Sequence, residues 1–403
     1  MYDGPKFVHQ DKILKLRDIL FNMVKGQYHI EDAFVACLLI KANIYLEGIP
    51  GIGKTQIVRC LEKALGVEKK IIFCNPSMVS LENHLYRLNI PELIKQGRKE
   101  VIWEIKGNEL IFFNELNRAS QAVQDELLRL LQEREIIAYG EKKVCKDIIV
   151  IADGNPYRGP LDKALADRFI KLTLDVPRAF DELEVLKERF DGKDIVDVSE
   201  LITEEIISYE ELKEAQEDVT KVTIPEHCKL LITLVSRSLQ CCYDERICST
   251  ISSDFYGGRR KVCKYEEGLC SRVDEPVGLR LAINIARLSK ALAWMYSRKE
   301  VSEEDVRKAA EVLLTQHVRD YKLVRDYIVK HMDDWREAIA IVEKIMAKIE
   351  EGVEGAEVVP LVEALAEIAD RDLSVRHIYN DILAELEKIF SKEFLEGLAI
   401  GTK

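Results

Sequence analysis

The chain has 403 residues, 47% hydrophobic and 32% charged, which is the balance of a folded, soluble, ion-pair-rich protein with room for two or three cored domains. Its formal net charge of −12 disfavours a broad polyanion-binding face and so a nucleic-acid partner, although a local basic channel stays compatible with it. No run of eighteen apolar residues is present, so no membrane span is expected, and Met1–Gln10 lacks an apolar signal core, so a cytoplasmic protein is expected.

Residues 11–26 and 30–41 carry apolar positions at helical spacing. Asn43-Ile44-Tyr45-Leu46 is a short apolar run, expected as a buried strand. It runs into Gly48-Ile49-Pro50-Gly51-Ile52-Gly53-Lys54-Thr55, which fits G-x-x-x-x-G-K-[ST], the phosphate-cradling P-loop. A helix from Thr55 to Leu65 follows, stopped by Gly66. Strand, glycine loop and helix together aim backbone N–H groups and a helix N-terminus at an anion. In this reading Gly48, Pro50, Gly51, Ile52, Gly53, Lys54, Thr55 and Gln56 bind the nucleotide, ATP. Lys54 reaches the β- and γ-phosphates, and the Thr55 hydroxyl takes Mg²⁺.

Further strands are expected at 70–74, 110–113, 148–152 and 170–174, with a short inserted strand at 101–105. One or two short helices are expected over 77–96, ended by Pro91 and Gly97, then a helix from Ser120 to Glu133 and a projecting hairpin over 135–144. Strands alternating with helices imply an α/β fold, a parallel sheet with helices on both faces. Beyond residue 177 the pattern is wholly helical. Ser302 caps a helix with acids in its first turn, and an apolar stripe runs along residues 323–349. Domains are accordingly expected at 1–177 (nucleotide-binding α/β), 178–320 (helical lid) and 321–403 (helical C-terminal extension).

Hydrolysis needs more than a P-loop. It needs a carboxylate to orient water, a polar sensor of the γ-phosphate and cations for developing charge. Glu115 follows the third apolar strand, and Asn155 stands at the end of the fourth. Arg168 lies just before the fifth, on the sheet rim, where it would serve a neighbouring subunit's site. Arg280 opens a helix in the all-helical part and would close over the phosphates.

The wording of these motifs resembles an AAA+ ATPase of the MoxR type. The resemblance rests on GIPGIGKT at 48–55, LIFFNELNRAS at 110–120, LLQERE at 130–135 before the hairpin, IVIADGNP at 149–156 and ALADRF at 164–169. It continues through PVGLRLAINIARLSKALA at 276–293 and SEEDV at 302–306, so it spans roughly residues 10–320. It implies a P-loop NTPase of AAA+ fold. Lys54 and Thr55 are then Walker A, Glu115 the Walker B catalytic base, Asn155 sensor 1, Arg168 the trans-acting arginine finger and Arg280 sensor 2. It also implies a homo-oligomer, a hexameric ring, acting chaperone-like on a protein client, often with a von Willebrand A-domain partner.

Two features depart from that pattern. Walker B, Asp-Glu by the resemblance, reads Asn114-Glu115; Asn114 keeps an oxygen for the Mg²⁺ network but loses the charge. Residues 241–275 look like an insertion in the lid, with Cys241, Cys242, Cys248, Cys263 and Cys270 as free thiols, one or two disulfides, or a metal site. Cys37, Cys60, Cys74 and Cys145 read instead as small core residues. Arg118 and Arg134 flank the 120–133 helix, as interface residues or solvated helix ends, and Asn75 is a candidate to hold Glu115 inactive. The competing functions are a nucleic-acid motor of the same clade and a nucleotide switch or scaffold with weak hydrolysis because of Asn114. Replacing the lost charge tests this reading: Asn114→Asp should lower the Mg²⁺ concentration needed for turnover by about tenfold, and an unchanged Mg²⁺ titration would remove position 114 from the metal network.

Overall fold

The computed structural model describes residues 7–66, 69–74, 77, 78, 80–107, 109–159, 161–190, 197–240, 269, 277–318, 320–352 and 355–390. The lid cysteines and Asn75 lie outside the described residues. The chain divides into two compact units, Met1–Val222 with Trp294–Lys299, and Thr223–Ala293 with Glu300–Lys403.

In the first unit, α1 (Gln10–Met23) and α2 (Glu31–Leu39) precede β1 (Ile44–Glu47) and α3 (Lys54–Leu65). Next come β2 (Lys69–Phe73), β3 (Tyr86–Leu88), α4 (Ile90–Gln96), β4 (Val101–Trp103) and β5 (Leu110–Asn114). They are followed by α5 (Gln121–Glu133), β6 (Glu135–Ala138), β7 (Glu141–Val144), β8 (Ile149–Gly154), α6 (Lys163–Ala166), β9 (Ile170–Thr173), α7 (Ala179–Phe190) and α8 (Tyr209–Thr220).

Five strands pair in parallel in the order β2-β5-β8-β1-β9. The central strands β5, β8 and β1 are buried on both faces, as a parallel sheet between helical layers requires. One face, with Tyr45, Ile111, Phe113, Val150 and Ala152, packs on Val123, Leu127 and Leu130 of α5. On α3, Ile57, Val58 and Leu61 are fully buried, and the helix packs on β5 and β8. This is the α/β P-loop architecture expected from the alternating pattern.

The segment 77–96 differs from its expected helices. Tyr86-Arg87-Leu88 pairs antiparallel with Val101–Trp103, and Pro91 sits in the first turn of α4 rather than ending a helix. Proline is tolerated there because first-turn N–H groups have no intrahelical partner, and the strand is set by a distant partner that local spacing does not report. The expected hairpin is present as β6 and β7, turning at Tyr139 and Gly140, both at positive φ.

Residues beyond 177 also join this unit. Ile206 N–H donates to the Ala64 carbonyl at the end of α3. Gln216 of α8 donates to the Leu38 carbonyl at 2.8 Å, and Lys213 reaches Asp147 at 3.2 Å. Cys37, Cys60, Cys74 and Cys145 are buried, as expected, and so is Cys228 of the second unit, and none of the five is in a disulfide. Burial pushes the Cys74 and Cys228 thiols up to about 12 and Cys145 up to about 11, which keeps them unreactive.

The second unit is helical: α9 (Glu226–Arg237), most of α10 (Leu279–Met295), α11 (Glu303–Val318), α12 (Tyr321–Glu351), α13 (Val359–Ala369) and α14 (Leu373–Ile389). Ser302 and Asp305 exchange backbone-to-side-chain bonds across the first turn of α11. The expected stripe on α12 is buried through Val324, Ile328, Trp335, Val342 and Ile345. Asp372 caps α14 from a fully buried position, accepting from Ser374 N–H, Val375 N–H, Trp335 Nε1 and His331 Nδ1. No helix of the described residues is long and apolar enough to cross a membrane. Removing the Asp372 acceptor strands four donors, so Asp372→Ala should lower unfolding free energy by about 3 kcal/mol and Asp372→Asn by less. Urea unfolding curves that coincide with the native protein would contradict this.

Candidate active site

The loop after β1 turns through Gly51 at φ +82° and Gly53 at φ +101°. At Gly53 a Cβ would also approach Val24 Cγ1 to 2.6 Å, so both conformation and space demand glycine. α3 then begins at Lys54 with no side-chain cap, which leaves its N-terminal amides suited to an anion. Lys54 is buried, and its ammonium folds back to donate to the carbonyls of Gly48 (2.7 Å) and Ile49 (3.0 Å). Burial lowers its pKa, while the carboxylates of Asp153 and Glu115 act in the opposite direction. Pro50 and Gly51 are exposed, Ile52 is buried and Thr55 is half-buried. The Gln56 amide is engaged by Asp197, which also takes Arg59 at 2.6 Å, so the first turn of α3 is braced from the side.

Two strand ends meet this loop. The Gly48 N–H donates to the Gly154 carbonyl at the end of β8, tying the loop to the neighbouring strand. On the far side of β8, β5 ends in Asn114, and Glu115 follows with φ +56°. Its N–H donates to Asp153 Oδ1 at 2.6 Å. Its own carboxylate is paired with Arg118, three residues on. Arg118 is itself exposed and makes this ion pair. Asp153 is 3% exposed, and burial raises its pKa against the opposing pull of the Glu115 amide and Lys54.

Asn155 is buried just beyond β8. Its Oδ1 accepts from Tyr157 N–H at 3.1 Å, an arrangement that leaves the amide NH₂ as its donor face. Asn117 braces the same turn from the short 3-10 helix after β5 (Leu116–Arg118), donating to the carbonyls of Asn155 (2.9 Å) and Gly159 (3.0 Å). The structure therefore brings Lys54, Glu115 and Asn155 to adjoining strand ends of one sheet edge, which is where a phosphate, a water and a polar sensor can be held together.

Within the first unit, Arg168 is not among these strand-end residues. Arg168 is half-exposed after α6, with its guanidinium on Gln132 Oε1 (2.7 and 3.1 Å) and the Ala164 carbonyl. It lies at the surface rather than in the core. Arg280 is exposed in the first turn of α10, in the second unit. Among the described residues no three His, Cys, Asp or Glu side chains form a metal cage. Thr55 and Asn114 offer hard oxygen donors of the kind that suit Mg²⁺ shared with phosphates and water.

Sequence reasoning assigned no role to Asp153 or Asn117. The signal for Asp153 was a charged residue ending an otherwise apolar strand; for Asn117 there was none beyond its place after Glu115.

The comparisons agree with this geometry. Residues 43–169 match the model of the AAA domain of the dynein-related subfamily, and residues 277–331 match that of the AAA lid domain. The chain thus carries an AAA domain followed by an AAA lid.

Among curated proteins it is similar to Chaperone MoxR1 of Mycobacterium tuberculosis, 29% identical over 41% of this chain and 44% of that protein. It is also similar to Protein MoxR of Paracoccus denitrificans, 29% identical over 40% and 49%. The uncharacterised YeaC of Bacillus subtilis is 33% identical over 40% and 51%. The matches span about half the length of these relatives. A crystal structure of a presumed ATPase from Cytophaga hutchinsonii shares the fold, with a TM-score of 0.60 and 23% identity over 77% of this chain and 87% of that one. The chain thus combines an AAA domain and an AAA lid with similarity to proteins named MoxR.

Gly154 supplies a direct test of the strand-end packing. A Cβ there would overlap the Tyr45 hydroxyl and come within 3.0 Å of Asn117 Oδ1. Gly154→Ala should destabilise the protein by about 2 kcal/mol, and adding Tyr45→Phe should recover part of that loss. A single variant that melts with the native protein would show that the turn has slack.

Proposed function

We propose that the chain binds ATP with Mg²⁺ on the loop after β1 and hydrolyses it. The observation that carries this reading is the convergence of Lys54, Glu115 and Asn155 at the ends of β1, β5 and β8. The loop amides and the N-terminus of α3 would receive the phosphates, and Lys54 would exchange the Gly48 and Ile49 carbonyls for phosphate oxygens. Glu115, once released from Arg118, would hold the attacking water, and the Asn155 amide would donate to the γ-phosphate. Mg²⁺, met by Thr55 and Asn114, would neutralise charge on the phosphate oxygens.

In this reading the boundaries near 177 and 320 separate a nucleotide core, a lid bearing Arg280 and a C-terminal extension. Arg168 would leave Gln132 to enter a neighbouring protomer's site, which requires a ring, taken here as a hexamer. The cycle would remodel or activate a protein client, in keeping with the printed name Chaperone MoxR1 of one relative, and a von Willebrand A-domain protein is the partner proposed. Lys142 of the hairpin is ion-paired with Glu135 at 2.6 Å, which weakens the nucleic-acid alternative.

Arg168→Ala and Glu115→Gln should each bind ATP yet release phosphate at least about a hundredfold more slowly. Mixed together they should recover activity, because an Arg168→Ala protomer keeps Glu115 and its Glu115→Gln neighbour supplies Arg168. A mixture as inactive as its components would contradict the shared site.

A further inference from the structure

Asn114 ends β5 without a charge, and the residue beside it is a carboxylate that the reading above does not use. The register Phe113↔Ala152, continued by one position, sets Asn114 next to Asp153. On the other side Asp153 pairs with Leu46, the penultimate residue of β1 before the phosphate loop. Register partners in neighbouring strands point to the same face, so Asn114 and Asp153 share a face with Phe112 and Ile151. It is the face opposite the Ile111, Phe113, Val150 and Ala152 cluster.

Ile149 and Ile151 show what this face of β8 otherwise carries. A nearly buried carboxylate in that row is costly unless it is compensated. Its compensation in the structure is partial. Oδ1 accepts the Glu115 N–H at 2.6 Å, whereas Oδ2 has no hydrogen-bond donor among the described residues. Nor is Oδ2 among the fully enclosed unpaired atoms, so it retains access to solvent.

We propose that Asp153 supplies the negative charge that anchors the nucleotide's Mg²⁺, standing in from β8 for the charge that Asn114 does not bring on β5. This inference rests on the nucleotide-binding reading above. The two oxygens of Asp153 divide the work. Oδ1 fixes the Glu115 backbone in its left-handed turn, and Oδ2 faces the metal side with a full anionic donor of the hard type that Mg²⁺ selects. Asn114 beside it adds a neutral oxygen.

The test separates charge from scaffold, because Asp153→Asn keeps an oxygen for the Glu115 amide while deleting the anion. A fluorescent ATP analogue is bound to the full chain while Mg²⁺ is titrated, and affinity is also measured in EDTA. Asp153→Asn should raise the half-saturating Mg²⁺ concentration by about tenfold, leave affinity in EDTA unchanged or tighter, and melt no lower than the native protein. The paired exchange Asn114→Asp with Asp153→Asn should bring the Mg²⁺ requirement back to within about threefold of native, since it returns one carboxylate to the strand-end pair. An Mg²⁺ requirement unmoved by Asp153→Asn, or not lowered again by the paired exchange, would overturn the inference alone. A native chain that fails to bind the analogue at all would instead overturn the nucleotide reading, and this inference with it.

Discussion

The structure depends on one constraint of strand order. β8 lies between β1, which leads into the phosphate loop, and β5, which delivers Glu115. Adjacent parallel strands lie about 4.8 Å apart, so an interposed strand leaves a gap between loop and carboxylate of the size a phosphate and a water occupy. The same interposed strand ends in Asp153-Gly154-Asn155, placing a carboxylate and an amide at the floor of that gap. Gly154 is bare because Tyr45 and Asn117 occupy the space a side chain would need. Around this edge, charges compensate one another: Lys54 is held by carbonyls and attracted by Asp153 and Glu115, and Glu115 is neutralised by Arg118.

Those contacts describe a resting arrangement. Lys54 donates to its own loop, Glu115 is turned to Arg118, and Arg168 is parked on Gln132. Lys54, Glu115 and Arg168 are each engaged by a partner from the same chain. A bound triphosphate would compete for Lys54 directly, and an adjoining protomer would compete for Arg168. On the function proposed above, turnover would require both of these displacements.

Much of this was legible in the sequence because it is local. The phosphate loop is eight consecutive residues between a strand and a helix, and the Ser302–Asp305 turn and the α12 stripe are spacing signals within a few turns of helix. Cys37, Cys60, Cys74 and Cys145 were legible as buried for the same reason, since they sit in apolar runs. What was not legible depends on pairing between distant segments. Tyr86–Leu88 is a strand because Val101–Trp103 lies beside it, not because three residues of that composition prefer to extend. Asp153 gains meaning only when the register sets it against Asn114, and Arg118 only when the left-handed turn at Glu115 is followed by their ion pair. The residues 197–222 read as part of the helical region, yet they are fastened to α2 and α3 by bonds such as Gln216 to Leu38.

The central claim is that one triphosphate is handled jointly by the loop, Glu115 and Asn155. The most direct measurement is a structure of the full chain with a non-hydrolysable ATP analogue and Mg²⁺. The account predicts the γ-phosphate on Lys54 and the Asn155 amide, with Glu115 detached from Arg118 and hydrogen-bonded to a water in line with the phosphorus. An analogue bound elsewhere, or one seated on the loop with Glu115 still paired to Arg118 and Asn155 remote from any phosphate oxygen, would contradict it.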